Sequence, residues 1–387
     1  MQNFNYCTPT RLIFGKGVIK DLPQVMSKYG KRILLTYGSG SIKKIGLYDQ
    51  VIELLKDYEI FELPNIMPNP KYDPSVLDGV RMCKEHDIDV ILSVGGGSVL
   101  DCSKAIAGGA KYDGDPWDLI TYKVETKDAL PIVDIITLAA TGSEYDAGGV
   151  ISRTETNDKT CYSDPHLYPK VSFLDPTYTF SVSKKQTRAG IADAMNHIME
   201  QYFCEDSTIL NDGFMEAGLK SLMINGQKCL ENPEDYTARA EMMLVCTYGC
   251  NRIYCLGNSE SGWPCHGLEH ALSAYYDITH GEGLAIIAPR WMKHILNEKT
   301  VDRFVKYGIN VFNINPNQDK MAIANQAIDA TYKFFESIDI PMHLKDVGID
   351  ESRIDEMAKH VADTEGLENA WAPLYQEDIA AIFRASL

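Results

Sequence analysis

Through the first half of the chain, short apolar runs alternate with stretches whose apolar positions recur every three or four residues. Arg32–Tyr37 (RILLTY), Tyr58–Leu63, Asp89–Val94 (DVILSV) and Ile132–Ala139 are brief, apolar and stopped by Gly, Pro or Asn, as strands buried on both faces are. Tyr48–Tyr58 and Asp73–His86 lie between them with helical spacing. Strand and helix in alternation predict an α/β domain over residues 1–180, a parallel sheet with helices on both faces. After Ser172–Thr179 the period changes. Arg188–Phe203, Asn211–Ile224, Tyr236–Ile253, Trp263–Tyr276 and Lys320–Ile338 have helical spacing and are joined by polar or Gly/Pro loops, which predicts an all-α domain over 181–387. Asp175-Pro176 and the polar run Ser181–Gln186 mark the joint, since proline disfavours helix in the residue before it.

Charge narrows the choice of partner. Thirty-seven Lys+Arg against 54 Asp+Glu give a formal net charge of −17, which repels a polyanion, so nucleic acid is not expected as a partner. The apolar stretches Ile132–Ala140 and Leu284–Pro289 are less than half the roughly 20 residues of a membrane-spanning helix. Met1–Leu12 shows no basic segment followed by an apolar signal core, so a cytoplasmic protein with no membrane partner is expected. Ten cysteines are scattered with no Cys-x-x-Cys pair and read as reduced thiols; Cys246, Cys250 and Cys255 read as buried apolar residues.

Three loops at predicted strand ends have the chemistry of phosphate binding. Gly38-Ser39-Gly40-Ser41 follows the first strand but is only half of a dinucleotide fingerprint, because Lys43 stands where a third glycine belongs. Gly95-Gly96-Gly97-Ser98 follows DVILSV and directly precedes a helix. Consecutive glycines there leave backbone N–H groups free to hold a pyrophosphate, and Asp101 and Lys104 stand in the next turns. Thr137–Glu144 ends another strand and supplies hydroxyls around Gly142. Ligands of open α/β sheets sit beyond such strand ends, so the first domain is expected to be Rossmann-like and to take a nucleotide. No carboxylate follows Arg32–Tyr37 directly, and Gly38, Ser39 and Ser41 with Lys43 or Lys44 accommodate a 2′-phosphate. NADP(H) is therefore expected in preference to NAD(H).

The second half carries a metal-ligand pattern. Asp193 and His197 are four apart on one helix face; His266 and His270 are four apart on another; His280 follows in the glycine-bearing loop Asp277–Gly283. Four of the nine histidines gather here. A nitrogen/oxygen set that needs no thiolate suits Fe²⁺ or Zn²⁺. Cys265 adjoins the cluster but is not read as a ligand. Spacing alone does not choose between His266 and His270.

Taken in order, Gly95-Gly96-Gly97-Ser98 with Asp101 and Lys104, Thr141-Gly142-Ser143-Glu144, Asp193-x-x-x-His197, His266-x-x-x-His270 and His280-Gly281 resemble the iron-containing (group III) alcohol dehydrogenases. Thr8–Gly17 is similar to that family's amino-terminal hairpin. Tyr37-Gly38-x-Gly40-Ser41-Ile42-Lys43-Lys44 and Asp175-Pro176-x-Tyr178-Thr179 most resemble its butanol dehydrogenase and broad aldehyde reductase branch. The resemblance implies a dehydroquinate-synthase-like fold and hydride transfer between NAD(P)H and a short-chain aldehyde such as butanal. It makes Asp193, His197, His266 and His280 ligands of Fe²⁺, with Zn²⁺ the alternative, and places His270 in a catalytic position near substrate and nicotinamide. Cofactor contacts are implied from Asn69, Gly96, Gly97, Ser98, Asp101, Thr137, Thr141, Ser143 and Lys159. A homodimer is expected from an edge strand near residues 8–14. A metal-dependent cyclase or lyase acting on a sugar phosphate would need basic residues around the metal, and the segments near Asp193 and His266 offer almost none.

Overall fold

A computed structural model describes residues 1–387. The chain divides into two compact units, one of Tyr6–Val182 with Asn232–Thr247, the other of Met1–Asn5, Ser183–Glu231 and Tyr248–Leu387.

The first unit holds β1 (Arg11–Phe14), β2 (Arg32–Tyr37), β3 (Glu59–Leu63), β4 (Val90–Gly95), β5 (Ile132–Ile136), β6 (Gly148–Arg153), β7 (Asp158–Ser163) and β8 (Val171–Leu174). Six of them form a wholly parallel sheet in the order β1-β8-β5-β4-β2-β3, while β6 and β7 make an antiparallel hairpin. Helices α1 (Leu22–Met26), α2 (Ser41–Lys44), α3 (Leu47–Leu54), α4 (Leu77–Glu85), α5 (Gly97–Gly109) and α6 (Trp117–Ile120) connect the strands. Successive strand residues face opposite ways. Leu34, Ile91 and Ile132 therefore pack in one core with Val80, Leu100 and Ile106, while Ile33, Leu92 and Val133 pack in another with Leu22, Leu47 and Val51. Burial on both faces is why these strands read as continuous apolar runs.

One local expectation changes. No hairpin forms at the amino terminus: β1 is a lone parallel strand at the sheet edge beside β8. Gly15 (φ 130°) and Gly17 (φ 74°) turn the chain into a 3₁₀ turn and α1 rather than back along β1. The hairpin of this unit is instead β6–β7. On the α5 side of the sheet, Thr36, Ser93, Asp134 and Ser172 pair across β2, β4, β5 and β8 as a fully buried polar row.

The second unit is helical: α7 (Lys184–Tyr202), α8 (Ile209–Glu231), the end of α9 (Tyr236–Cys250), α10 (Pro264–Tyr276), α11 (His280–Ile295), α12 (Val301–Phe312), α13 (Lys320–Ser337), α14 (Ile354–Thr364) and α15 (Gln376–Ala385). The Ser183 side chain caps α7 by accepting from Gln186 N–H. From Ala189 to Tyr202 every residue of α7 is buried, with α8 and α11 packed against it. Close approach of α11 depends on Gly281, where a Cβ would overlap the Ala189 backbone. No helix is long and apolar enough to cross a membrane.

Candidate metal centre and nucleotide loops

Three elements of the helical unit bring the second-half motifs together. Asp193 and His197 project from one face of α7, His266 stands in the first turn of α10, and His280 opens α11. Asp193 Oδ1 lies 3.3 Å from His197 Nε2, 3.8 Å from His266 Nε2 and 3.7 Å from His280 Nε2. One ligand atom each of Asp193, His266 and His280 falls within 4.8 Å of the others. His270 stands aside: its ring stacks on that of His280 with centroids 6.2 Å apart, and its Nδ1 lies 3.3 Å from Glu365 Oε1.

This arrangement suits a cation. Asp193 Oδ1 and His266 Nε2 are buried with no hydrogen-bond partner, which native interiors rarely tolerate without another ligand. Four ligands at about 2.0–2.2 Å from a tetrahedral ion stand roughly 3.3–3.6 Å apart, close to the separations around Asp193. Burial alone would raise the Asp193 carboxyl, but His197, His266 and His280 outweigh it and hold it well below its usual range. Burial pushes His197 down to about 3, against the pull of Asp193, and so keeps that imidazole neutral. Burial acts the same way on His266, but the Glu200 and Asp193 charges outweigh it and lift the ring to about 10.

Two further acids surround the cluster, and sequence reading had passed over both. Glu200, fully buried on α7, accepts from Cys265 N–H at 2.6 Å and His266 N–H at 3.2 Å through Oε1, while Oε2 meets His266 Nδ1. Glu269, fully buried on α10, meets His280 Nδ1 through Oε2 and accepts from Ser273 Oγ through Oε1. A signal existed for each: Glu200 follows Asp193 by seven residues on the same helix face, and Glu269 lies inside the His266–His270 motif. Trp263, before α10, has a left-handed backbone (φ 52°, ψ 49°) and sets its ring edge-on to His266 at 5.3 Å and His197 at 6.1 Å.

In the sheet unit, the chain runs from β2 outward to β3 and then returns to β4 on the other side of β2. This reversal puts a topological switch point between β2 and β4, where nucleotides bind in such sheets. Gly38–Ser41 and Gly96–Ser98 follow these two strands. Gly96 is the N-cap of α5 and supplies no side-chain hydrogen bond; Val99 N–H turns back to Gly96 O at 3.0 Å, which leaves the N–H groups of Gly97 and Ser98 for an anion. A Cβ at Gly97 would overlap the Thr141 side chain, so glycine lets the Thr141–Ser143 loop lie against the start of α5.

The remaining residues divide by environment. Asp101 Oδ1 accepts from Ser143 Oγ at 2.7 Å and Oδ2 from Val150 N–H at 3.0 Å, so both oxygens are committed to the loop and β6. Burial lifts this carboxyl to about 6, with the Lys104 charge and the Ser143 hydrogen bond opposing the rise. Thr137 directly follows β5 and donates its N–H to Gly95 O at 2.8 Å. Lys159 is buried in β7 opposite Ser152, whose N–H donates to Pro70 O at 2.9 Å, and this places Lys159 beside the loop of Asn69. Ser39 and Ser41 are exposed, and Lys43 Nζ lies 5.0 Å from the Tyr37 ring centre and 4.4 Å from that of Tyr48. Both tyrosine hydroxyls donate to Glu62 on β3, at 2.5 and 2.8 Å. This carboxylate near the β2 loop escaped the sequence reading, which had considered only residues directly after β2.

Comparison with known proteins agrees across the whole chain. Residues 9–176 match the family model of iron-containing alcohol dehydrogenase, and residues 187–387 match the C-terminal model of the Fe-containing alcohol dehydrogenase family. The chain is 44% identical over 390 residues to NADH-dependent butanol dehydrogenase A of Clostridium acetobutylicum, covering 100% of both. It is 39% identical to the NADPH-dependent aldehyde reductase YqhD of Escherichia coli, over 93% of this chain and 92% of that protein. The crystal structure of NADH-dependent butanol dehydrogenase A from Thermotoga maritima shares the fold with a TM-score of 0.95 at 36% identity, covering 100% of this chain and 99% of that one. The chain belongs to the iron-containing alcohol dehydrogenase family and is an NAD(P)-dependent oxidoreductase.

Proposed function

We propose that this enzyme reduces short straight-chain aldehydes such as butanal, and oxidises the matching alcohols, at a cation held by Asp193, His197, His266 and His280. The supporting observation is the pair of buried, partnerless atoms Asp193 Oδ1 and His266 Nε2, with His197 Nε2 and His280 Nε2 at 3.3 and 3.7 Å from the same Asp193 oxygen. Fe²⁺, or Zn²⁺ as the alternative, would supply Lewis-acid polarisation of the substrate oxygen there. His270, anchored through Nδ1 on Glu365 and stacked on His280, hands the proton to that oxygen during reduction. The N–H groups of Gly96, Gly97 and Ser98 bind the cofactor pyrophosphate, with Asn69, Thr137, Thr141 and Lys159 around it. Asp101 and Ser143 hold the adjoining loop in place.

NADP(H) is the preferred cofactor in this reading. Gly38, Ser39 and Ser41 with Lys43 form a neutral-to-basic loop, and Glu62 is drawn to Tyr37 and Tyr48. A cytoplasmic location fits ten cysteines of which none is in a disulfide, and a homodimer fits β1 at the sheet edge. Two measurements test the proposal. Oxidation of NADPH and NADH with butanal should give a higher kcat/KM for NADPH; a clear preference for NADH rejects the cofactor assignment. His280→Ala should lose both bound metal and turnover, and normal values for both reject the site.

A further inference from the structure

We infer that Glu200 and Glu269 are positioning residues that decide which ring nitrogen of His266 and His280 is offered to the cation, and that Glu200 cannot be replaced by its amide. This rests on the reading of Asp193, His197, His266 and His280 as ligands. A neutral imidazole has one proton and one lone pair, and the partner of one nitrogen sets the role of the other. At His266 and His280 the cluster is faced by Nε2, so the proton belongs on Nδ1, and each Nδ1 meets a fully buried carboxylate. An ionised carboxylate accepts hydrogen bonds and donates none, so each acid admits only the ligating tautomer. His197 is the contrast, since its Nδ1 is buried without a partner.

The two acids differ in what their second oxygen does. Glu200 Oε1 accepts two backbone N–H groups at the start of α10, where Trp263 in the N-cap position supplies no side-chain cap. One carboxylate thus closes the helix end and aligns the histidine in its first turn. In Glu200→Gln the amide oxygen must stay on those two donors, which turns the –NH₂ towards His266 Nδ1. That nitrogen must then accept, and the ring proton moves to Nε2, where it blocks ligation. Glu269 has an alternative. Its Oε1 partner is the Ser273 hydroxyl, which both donates and accepts, so the amide of Glu269→Gln can turn to keep oxygen on His280 Nδ1.

The test is competition between a chelator and the zinc-loaded enzyme, with thermal melting of each metal-free variant as the control for folding. Glu200→Gln is expected to bind zinc about 10–100-fold more weakly with unchanged melting, while Glu269→Gln stays near wild type. Wild-type affinity in Glu200→Gln overturns the inference, as does an equal loss in both variants. Should Glu200→Gln fail to fold, nitrogen-15 spectra of the zinc-loaded wild type decide: protons on Nδ1 of His266 and His280 support the inference, and a proton on Nε2 of either overturns it. A wild-type chain that takes up no zinc rejects the ligand set itself, a separate and visible failure.

Discussion

Replacing Lys104 with methionine asks whether one buried ammonium holds the loop from Thr141 to Gly148 in place. Lys104 Nζ is fully buried and donates to Ser143 O (2.8 Å), Ser143 Oγ (2.9 Å), Asp146 Oδ1 (2.8 Å) and Gly148 O (2.6 Å). Methionine keeps the length and apolar stem of the side chain but leaves those acceptors unmatched, beside the buried carboxylate of Asp101. Removing one partner of a buried ion pair costs about 3–5 kcal/mol. Asp146 keeps 26% of its side chain exposed, so solvent screens part of its charge and the lower end, about 3 kcal/mol, applies. For a unit of this size, each kcal/mol lowers the melting temperature by about 2–4 °C, giving a drop of roughly 6–12 °C. Circular-dichroism melting measures it. A parallel titration of NADPH fluorescence should show weaker binding, because Thr141 and Ser143 lose their anchor. A drop below about 2 °C with unchanged cofactor affinity would refute the reasoning, since it is smaller than one lost kcal/mol produces.

Burial lifts the Glu144 carboxyl from 4.5 to about 7, opposed by a hydrogen bond from Thr247 and the Lys104 charge and aided by Asp146, so folding favours its neutral form. Its stabilising share is complete below about pH 4.5 and is lost as pH rises through about 7; Glu144→Gln should remove a decline of about 3 kcal/mol over that window, read from urea melts at stepped pH. Parallel curves for variant and wild type would contradict this. Gly281→Ala forces α11 away from Ala189 and carries His280 with it, so bound metal should fall and stability drop by about 1–3 kcal/mol, checked by elemental analysis and melting. Gly97→Ala should push out Thr141 and raise the cofactor Kd, with no effect on metal content.

Parts of the architecture that rest on periodicity were legible in the sequence. Strands β2, β4 and β5 are buried on both faces and therefore read as plain apolar runs, and the glycine loops stand at their carboxyl ends. The β6–β7 hairpin escaped notice because its second strand, Asp158-Lys159-Thr160-Cys161-Tyr162-Ser163, is polar in composition although Lys159 and Tyr162 are buried. β8, only four residues long and directly before Asp175-Pro176, is too short to stand out from the domain joint. At the metal centre, histidine spacing was visible because ligands on one helix must share a face. Glu200 and Glu269 share that helical spacing, but an acid at such a position reads as a surface charge until the α10 helix end and the imidazoles it meets are placed beside it. Asp134, fully buried in mid-strand and lifted well above the usual carboxylate range by burial, is the same case within the sheet.

The left-handed turn at Trp263 equips this enzyme with an optical probe of its own. Of four indoles in the chain, this one lies edge-on to two imidazoles of the cluster. Its emission should therefore respond when those rings exchange a proton for an ion, so that loading and stripping can be followed in real time with no attached dye.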